Sequence, residues 1–256
     1  MKSNCIVSFN MNTWLPVDRS LSYERKINNF SVYVKQLCNG TPPKVICLQE
    51  VIAGKGQIYL EFIKKEFSEY EVITPVFDFE KHYKSIMSVT LIRKDILNDY
   101  TVNVLDDECL PNRVNYVVAD IEGVLFRIIN LHVPQIVNFK NKATWYIDER
   151  KRLNEIMWKR LEEEAKKYKD VKVLIVGDFQ ESSDGPNIAK LKAAGYGVYA
   201  SKNPTVDNIF FLEKHIDHII FSDSAIEALR PITLFTDSSV LGKLSDHCIL
   251  YAVCTN

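Results

Sequence analysis

The sequence predicts one α/β domain on three observations. Short continuous apolar runs recur along the chain, amphipathic stretches of helical period lie between several of them, and the middle of the chain is strand-rich around a hairpin turn. A chain of 256 residues, 46% hydrophobic and 25% charged, is long enough to bury a single core.

The first run, CIVSF at 5–9, reads as a buried strand, and Ile27, Phe30, Val34 and Leu37 then fall on one face of a helix over 23–37. Pro42-Pro43 interrupts the chain before VICLQE, 45–50, an apolar run that ends on an acid. A helix over 58–67 follows, then strands over 71–75, 88–93, 114–121 and 125–131, with Glu122-Gly123 as a turn between the last two. The longest helical pattern covers 146–168. Leu153, Ile156, Met157, Leu161 and Ala165 form its apolar stripe, and the runs Glu162-Glu163-Glu164 and Lys166-Lys167 read as its solvated face. It leads into a strand at 171–176, a short helix near 188–194 stops at Gly195, and strands recur at 215–221 and 248–253.

Composition narrows the function classes. A net charge of -1 gives no general basic excess, so a nucleic-acid binder would have to rely on local patches. Six cysteines occur without a C-x-x-C pair, and Cys5, Cys47, Cys248 and Cys254 sit in apolar runs; they read as reduced thiols in a cytoplasmic setting. No apolar run approaches the roughly 20 residues of a spanning helix, and the N-terminus has no signal-peptide core. A monomer without integral membrane association is expected.

The informative pattern is where polar residues fall against the apolar runs. Asn10 ends IVSFN, Glu50 ends VICLQE, His132 ends RIINLH, and Asp178 ends VLIVGD. Asp217-His218 interrupts HIDHII, and Asp246-His247 opens the final strand after Leu244-Ser245. Each has an ordinary explanation alone: an Asp that caps a turn, or a histidine satisfied in the core. Converging from several strand ends, they would make a cluster of carboxylates, amide and imidazoles suited to a hard divalent cation and to proton transfer.

The ordered set IVSFN, ICLQE, INLHVP, IVGDFQ, HIDHII and LSDH resembles the endonuclease/exonuclease/phosphatase superfamily, the DNase I-like metal-dependent phosphoesterases, essentially from end to end. The resemblance implies a four-layer α/β/β/α sandwich of two mostly antiparallel or mixed sheets, with the site at one edge. It implies Glu50 as the main ligand of Mg²⁺ or Mn²⁺, Asn10 beside it as ligand or substrate positioner, and Asp246 completing the metal side. His247 would be the general base or a stabiliser of phosphoryl oxygens, and Asp217 would fix its tautomer. Asp178 would orient the attacking water, and His132 would contact the phosphate or assist the leaving group. Arg113 falls where many members place a phosphate-binding arginine; a surface role is the alternative.

The family's usual motif G-D-x-N is here Gly177-Asp178-Phe179-Gln180. Gln keeps the donor and acceptor of Asn on a stem one methylene longer, a displacement of about 1 Å. Gln180 therefore marks an adapted catalytic amide, a slowed enzyme, or a lost activity; intact Glu50, Asp178, Asp217, Asp246 and His247 favour the first.

The resemblance leaves the substrate open among nucleic acid, lipid headgroup and small phosphorylated molecule. A nuclease or phosphodiesterase acting on nucleic acid leads, followed by a phosphatase of a small metabolite or lipid headgroup, and then by a catalytically silent phosphate-binding domain. His82-Tyr83-Lys84, and Lys140 and Lys142 before Trp145, form a phosphate track with stacking, or else a helix start packed on the core, which is the preferred reading. Trp14 stacks a base or, preferably, fills the core.

Overall fold

The computed structural model of the protein describes residues 3–12, 22–38, 40–52, 54–79, 85–105, 110–136, 143–168, 171–200, 205–207, 213–229, 232–238 and 244–255. Its strands are β1 (Ser3–Asn10), β2 (Val45–Ile52), β3 (Tyr70–Ile73), β4 (Ile86–Arg93), β5 (Leu97–Asn103), β6 (Val114–Ile121), β7 (Val124–His132), β8 (Lys172–Asp178), β9 (Tyr196–Ala200), β10 (Val206–Asp207), β11 (Glu213–Lys214), β12 (Asp217–Ser222), β13 (Ile232–Asp237) and β14 (Ile249–Thr255). The helices are α1 (Tyr23–Leu37), α2 (Ile58–Glu66), α3 (Thr144–Lys167), α4 (Pro186–Ala193) and α5 (Asp223–Leu229).

Alternation along the strands sorts side chains into layers. One six-stranded sheet has the order β13-β14-β1-β2-β4-β3, the other β5-β6-β7-β8-β12-β9, and both mix parallel with antiparallel pairs. On the outer face of the first, Val7, Phe9, Ile46 and Leu48 pack against Ile27, Phe30 and Val34 of α1 and Leu60 and Ile63 of α2. Between the sheets, Ile6, Val45 and Cys47 meet Val117, Ile128, Leu174, Val176, Ile219 and Phe221. On the far side, Ile129, Ile175 and Ile220 pack against Met157, Trp158 and Leu161 of α3 and Ile188 and Leu191 of α4. The expected α/β/β/α sandwich is observed, and each buried Ile, Leu or Phe in it contributes about 1.5–3 kcal/mol.

The predicted helices and strands all appear, within a few residues of the expected ends. Glu122 and Gly123 take φ of 54° and 80° and close the β6–β7 hairpin, a turn that needs positive φ at both positions. Beyond the sequence reading, β5, β9, β13, the β10–β11 pair and α5 are also present. The final strand begins at Ile249, two residues after His247, which instead bridges Val206. The thiols of Cys38, Cys47 and Cys248 are buried. Trp14, His82-Tyr83-Lys84, Lys140, Lys142, Cys109 and the side chains of Cys5 and Cys254 lie outside the described residues. Trp145 departs from the expected packed helix start: it is 72% exposed, because α3 turns its apolar stripe to the sheet from Met157 onward and leaves its first turn at the surface. Among the described residues no helix is long and apolar enough to cross a membrane.

Candidate active site

Strand register and alternation build the site. β7 and β8 run parallel with His132 opposite Asp178, and β12 runs antiparallel to β8 with Asp217 opposite Asp178. In the other sheet Asn10 of β1 pairs with Gln49 of β2. Ile6 and Ile128, Leu174 and Val176, and Ile219 and Phe221 face the inter-sheet core; by period two, Asn10, His132, Asp178 and Asp217 share that face at one edge. The same rule sends His218 to the opposite face, where its Nε2 lies 2.8 Å from the Glu181 carbonyl oxygen and its ring packs on Phe179. Burial lowers its pKa, so this histidine is a neutral structural group away from the cluster.

Glu50 needs a different device. Ile46 and Leu48 point to the helices, so unbroken alternation would send Glu50 there too. The β2–β4 register instead shifts between Leu48 and Val51, Glu50 takes φ of 54°, and Val51 packs on the helix side in its place. A β-bulge thus re-aims the carboxylate, holding a non-glycine residue in a left-handed conformation that costs about 1–2 kcal/mol. Below it, Gln49 donates to Asn130 Oδ1 at 2.7 Å and Asn130 donates to the Val89 carbonyl at 2.9 Å, fastening the two sheets directly under the cluster.

All the expected residues come together. His247 Nδ1 lies 3.0 and 3.2 Å from the Asp217 carboxylate oxygens, and its Nε2 lies 3.7 Å from Asp246 and 3.9 Å from Asp178. Asn10 Nδ2 donates to Asp178 Oδ2 at 3.1 Å. His132 Nε2 stands 3.6 Å from Glu50 and 3.7 Å from Asp178, and Arg113 Nη1 lies 3.3 and 3.4 Å from the two His132 ring nitrogens. Ser88 of β4 donates to the Arg113 carbonyl at 2.9 Å and fixes this turn across the sheets. Asp178, Asp217 and His247 each offer a ligand atom within 4.8 Å of the others, a set that could hold a metal ion.

The electrostatics follow from crowding charge into a buried edge. Burial would lower the His247 imidazole, but Asp217, by charge and hydrogen bond, with Asp178 and Asp246, outweighs it and pushes the pKa up to about 10. Burial and the Asp217 charge raise Asp178 to about 7. Glu50 is also raised, by burial first, against the pull of His247 and Arg113. His132 is held well below its ordinary value by burial and by Arg113, so its contacts with Glu50 and Asp178 are those of a neutral ring, not ion pairs.

Four supporting residues were given no role by the sequence pattern. Asn12 donates its backbone N–H to Asn10 Oδ1 at 2.9 Å and its side-chain amide to Asp246 at 2.5 Å, so it ties the β1 end to the Asp246 turn. Ser245 donates to the Asn10 carbonyl at 2.7 Å and accepts from His247 N–H. Thr205 Oγ1 accepts from the backbone N–H groups of Ile216 and Asp217, and its carbonyl accepts from Cys248. Lys26, buried on α1, donates to the Met11 and Asn12 carbonyls; burial lowers its pKa to about 8 against the pull of Glu50 and Asp246. Its position one residue before the apolar Ile27 is the only sequence signal, and a lysine there reads as solvated.

Gln180 bends back on Asp178: its backbone N–H donates to Oδ1 at 3.0 Å and its Nε2 to Oδ2 at 2.8 Å, with φ at 54°. The longer stem is used to grip the carboxylate. Asn is better suited to this left-handed position, so Gln180→Asn should stabilise the protein by up to about 1 kcal/mol while changing the rate by no more than about tenfold either way. Melting temperature and kcat test the two parts separately, and a far larger gain in rate would identify the natural residue as a brake.

No family model and no curated protein matches the sequence. Solved structures do match over nearly the whole chain. An AP endonuclease from Archaeoglobus fulgidus aligns with TM-score 0.69 at 15% identity, covering 99% of this chain and 100% of its own. An endonuclease/exonuclease/phosphatase from Bacteroides vulgatus aligns with TM-score 0.67 at 15% identity, covering 100% and 99%. D. rerio TDP2 complexed with single strand DNA product aligns with TM-score 0.63 at 15% identity, covering 100% of both chains. What these proteins share with it is architecture: the chain has the DNase I-like fold of the endonuclease/exonuclease/phosphatase superfamily.

Proposed function

We propose that the protein is a divalent-metal-dependent phosphoesterase that hydrolyses phosphodiester bonds of nucleic acid. The observation that carries this reading is the convergence of Asn10, His132, Asp178 and Asp217 from four strand ends, and of Glu50 from the bulge within β2, around His247, with an Asp217–His247 hydrogen bond of 3.0 Å. Nuclease-named structures of the same fold support it by analogy.

The residues present fit a hard cation. Four carboxylates, Glu50, Asp178, Asp217 and Asp246, face one charged imidazole, and oxygen ligands of this kind suit Mg²⁺ or Mn²⁺. Asp217 is engaged with His247, and both Asp178 oxygens accept hydrogen bonds from Gln180 or Asn10. Glu50 and Asp246 have side chains 16% and 22% exposed and stand at the open side. We therefore assign the ion to Glu50 and Asp246 with Asn10, not to the Asp178–Asp217–His247 set. When bound, such an ion would neutralise phosphate oxygens that otherwise repel a nucleophile.

The other roles belong to the chain. Asp217 holds the imidazole so that Nε2 faces the substrate; neutral, Nε2 accepts the proton of the attacking water, and charged, it donates to a phosphoryl oxygen. Asp178, gripped by Gln180 and Asn10, orients the water. His132 and Arg113 meet the phosphate from the opposite wall.

The test is hydrolysis of single-stranded DNA, duplex DNA, RNA and bis-p-nitrophenyl phosphate with Mg²⁺, with Mn²⁺ and with EDTA. Metal-dependent cleavage of a nucleic acid supports the reading, and silence on the nucleic acids overturns it. Glu50→Gln should weaken Mn²⁺ binding by calorimetry about a hundredfold. Affinity for the ion should also rise with pH through about 7, because Asp178 must give up its proton beside it. An unchanged titration would remove Glu50 from the ligand set.

A further inference from the structure

Beside the cluster lies a group of side chains that the chemistry above does not use. Arg150, on the second turn of α3, donates from Nε to the Gln135 carbonyl at 2.8 Å and from Nη1 to the Tyr146 hydroxyl at 3.3 Å. Its guanidinium also stands 5.8 Å from the Tyr146 ring centroid. Trp145 meets that ring edge-on at 6.0 Å between centroids and keeps 72% of its surface exposed. The Gln135 carbonyl that Arg150 holds lies three residues beyond His132, which Arg113 contacts at 3.3 Å, so the group adjoins the wall that carries those residues; the charge of Arg150 accordingly bears on both.

Two features of this group call for a ligand. Arg113 feels the Glu50 and Asp178 carboxylates of the cluster, whereas among the described residues no ion pair within 4.0 Å holds Arg150; the neighbouring Glu149 pairs with Arg152. A guanidinium held in place by a backbone carbonyl and a phenol, with no carboxylate of its own, is where a phosphate gains charge-assisted hydrogen bonds. The second feature is the indole, a large apolar ring left in water on a helix whose later turns bury their apolar residues well. Singly, an exposed tryptophan needs no explanation. Next to an arginine free to meet a phosphate it supplies the other half of a nucleotide, a face on which a base can stack.

We propose that Trp145, Tyr146 and Arg150 form a subsite for an unpaired nucleotide flanking the scissile phosphate, so that the strand this enzyme engages is single-stranded nucleic acid. The inference rests on the nucleic-acid reading above and specifies it. A base within a duplex is stacked on both faces and cannot offer one to an indole, whereas an unpaired base can. The net charge of -1 is consistent with this, since the chain lacks the broad basic excess that holds duplex DNA by its phosphates.

Binding of three probes in EDTA tests it: a single strand of about 10 nucleotides, an abasic strand of the same length, and the duplex. Wild-type protein should prefer the base-bearing single strand to both others. Trp145→Ala should weaken that strand about tenfold and leave the abasic strand within about twofold, while Trp145→Phe recovers most of the loss. Arg150→Gln should weaken both single strands and lower the slope of log affinity against log salt by about 0.7. The subsite is overturned if Trp145→Ala binds the base-bearing strand as wild type does, or loses both strands equally. If metal-dependent hydrolysis of a nucleic acid persists with none of these effects, the subsite alone fails; if no nucleic acid is bound or cut, the nucleic-acid reading falls with it.

Discussion

His247→Ala is expected to lower turnover by about a thousandfold or more, because it removes the group to which we assign proton exchange with water or phosphate. The variant also leaves the Asp217 carboxylate, 3% exposed, without its cation, and stripping one partner from a buried pair is strongly destabilising. A folding defect could therefore imitate a catalytic one. His247→Gln separates them: an amide restores a donor toward Asp217 but cannot carry the proton. We expect it to recover stability and remain inactive, and turnover by folded His247→Gln near the wild-type rate would take His247 out of proton transfer. Stability against pH gives an independent reading. The folded imidazole is raised from its ordinary 6.5 to about 10, so its stabilising contribution is fully present below about 6.5 and is lost as pH rises through about 10. Wild type should lose stability across that alkaline range and the alanine variant should not.

Strand ends were legible because two signals coincide there, an apolar run and an abrupt polar residue. VLIVGD announces both the buried strand β8 and the carboxylate at its tip, and alternation then dictates the face it points to. One edge strand lacks the first signal. β5, LNDYTVN, is exposed at most positions and alternates nothing, so only its pairing with β6 makes it a strand. The supporting residues lack the second. Asn12, Ser245 and Thr205 are common loop residues whose roles arise from contacts across 234, 235 and 12 positions of sequence. The re-aiming of Glu50 was invisible for another reason: a bulge leaves no composition mark, and a plain alternation count would place this acid against the helices. Trp145 shows the converse, an aromatic in a helical pattern that lies before the buried stripe begins.

Gly177→Ala should be the most damaging single-methyl change near the site. Gly177 has φ of +142°, outside the range of ordinary L-residues, and a Cβ there would stand 1.9 Å from the Leu131 carbonyl oxygen. That oxygen belongs to the parallel β7–β8 ladder, in which Gly177 pairs with Leu131 and the next pair is Asp178 with His132. A backbone carbonyl cannot swing aside as a long side chain can, so the two strands must separate where they deliver the two residues. We expect a loss of several kcal/mol in stability by denaturant titration, with a further rate loss of about a hundredfold in whatever folds, since a displacement of about 1 Å suffices for that. Gly123→Ala is the control. It too has positive φ, at 80°, but nothing lies within 4 Å of its would-be Cβ, so it should cost only about 1–2 kcal/mol of backbone strain and leave the rate alone. Equal behaviour of the two variants would mean that left-handed strain, not the approach of β7 to β8, is what glycine provides at 177, and the close strand contact would then have no part in positioning Asp178.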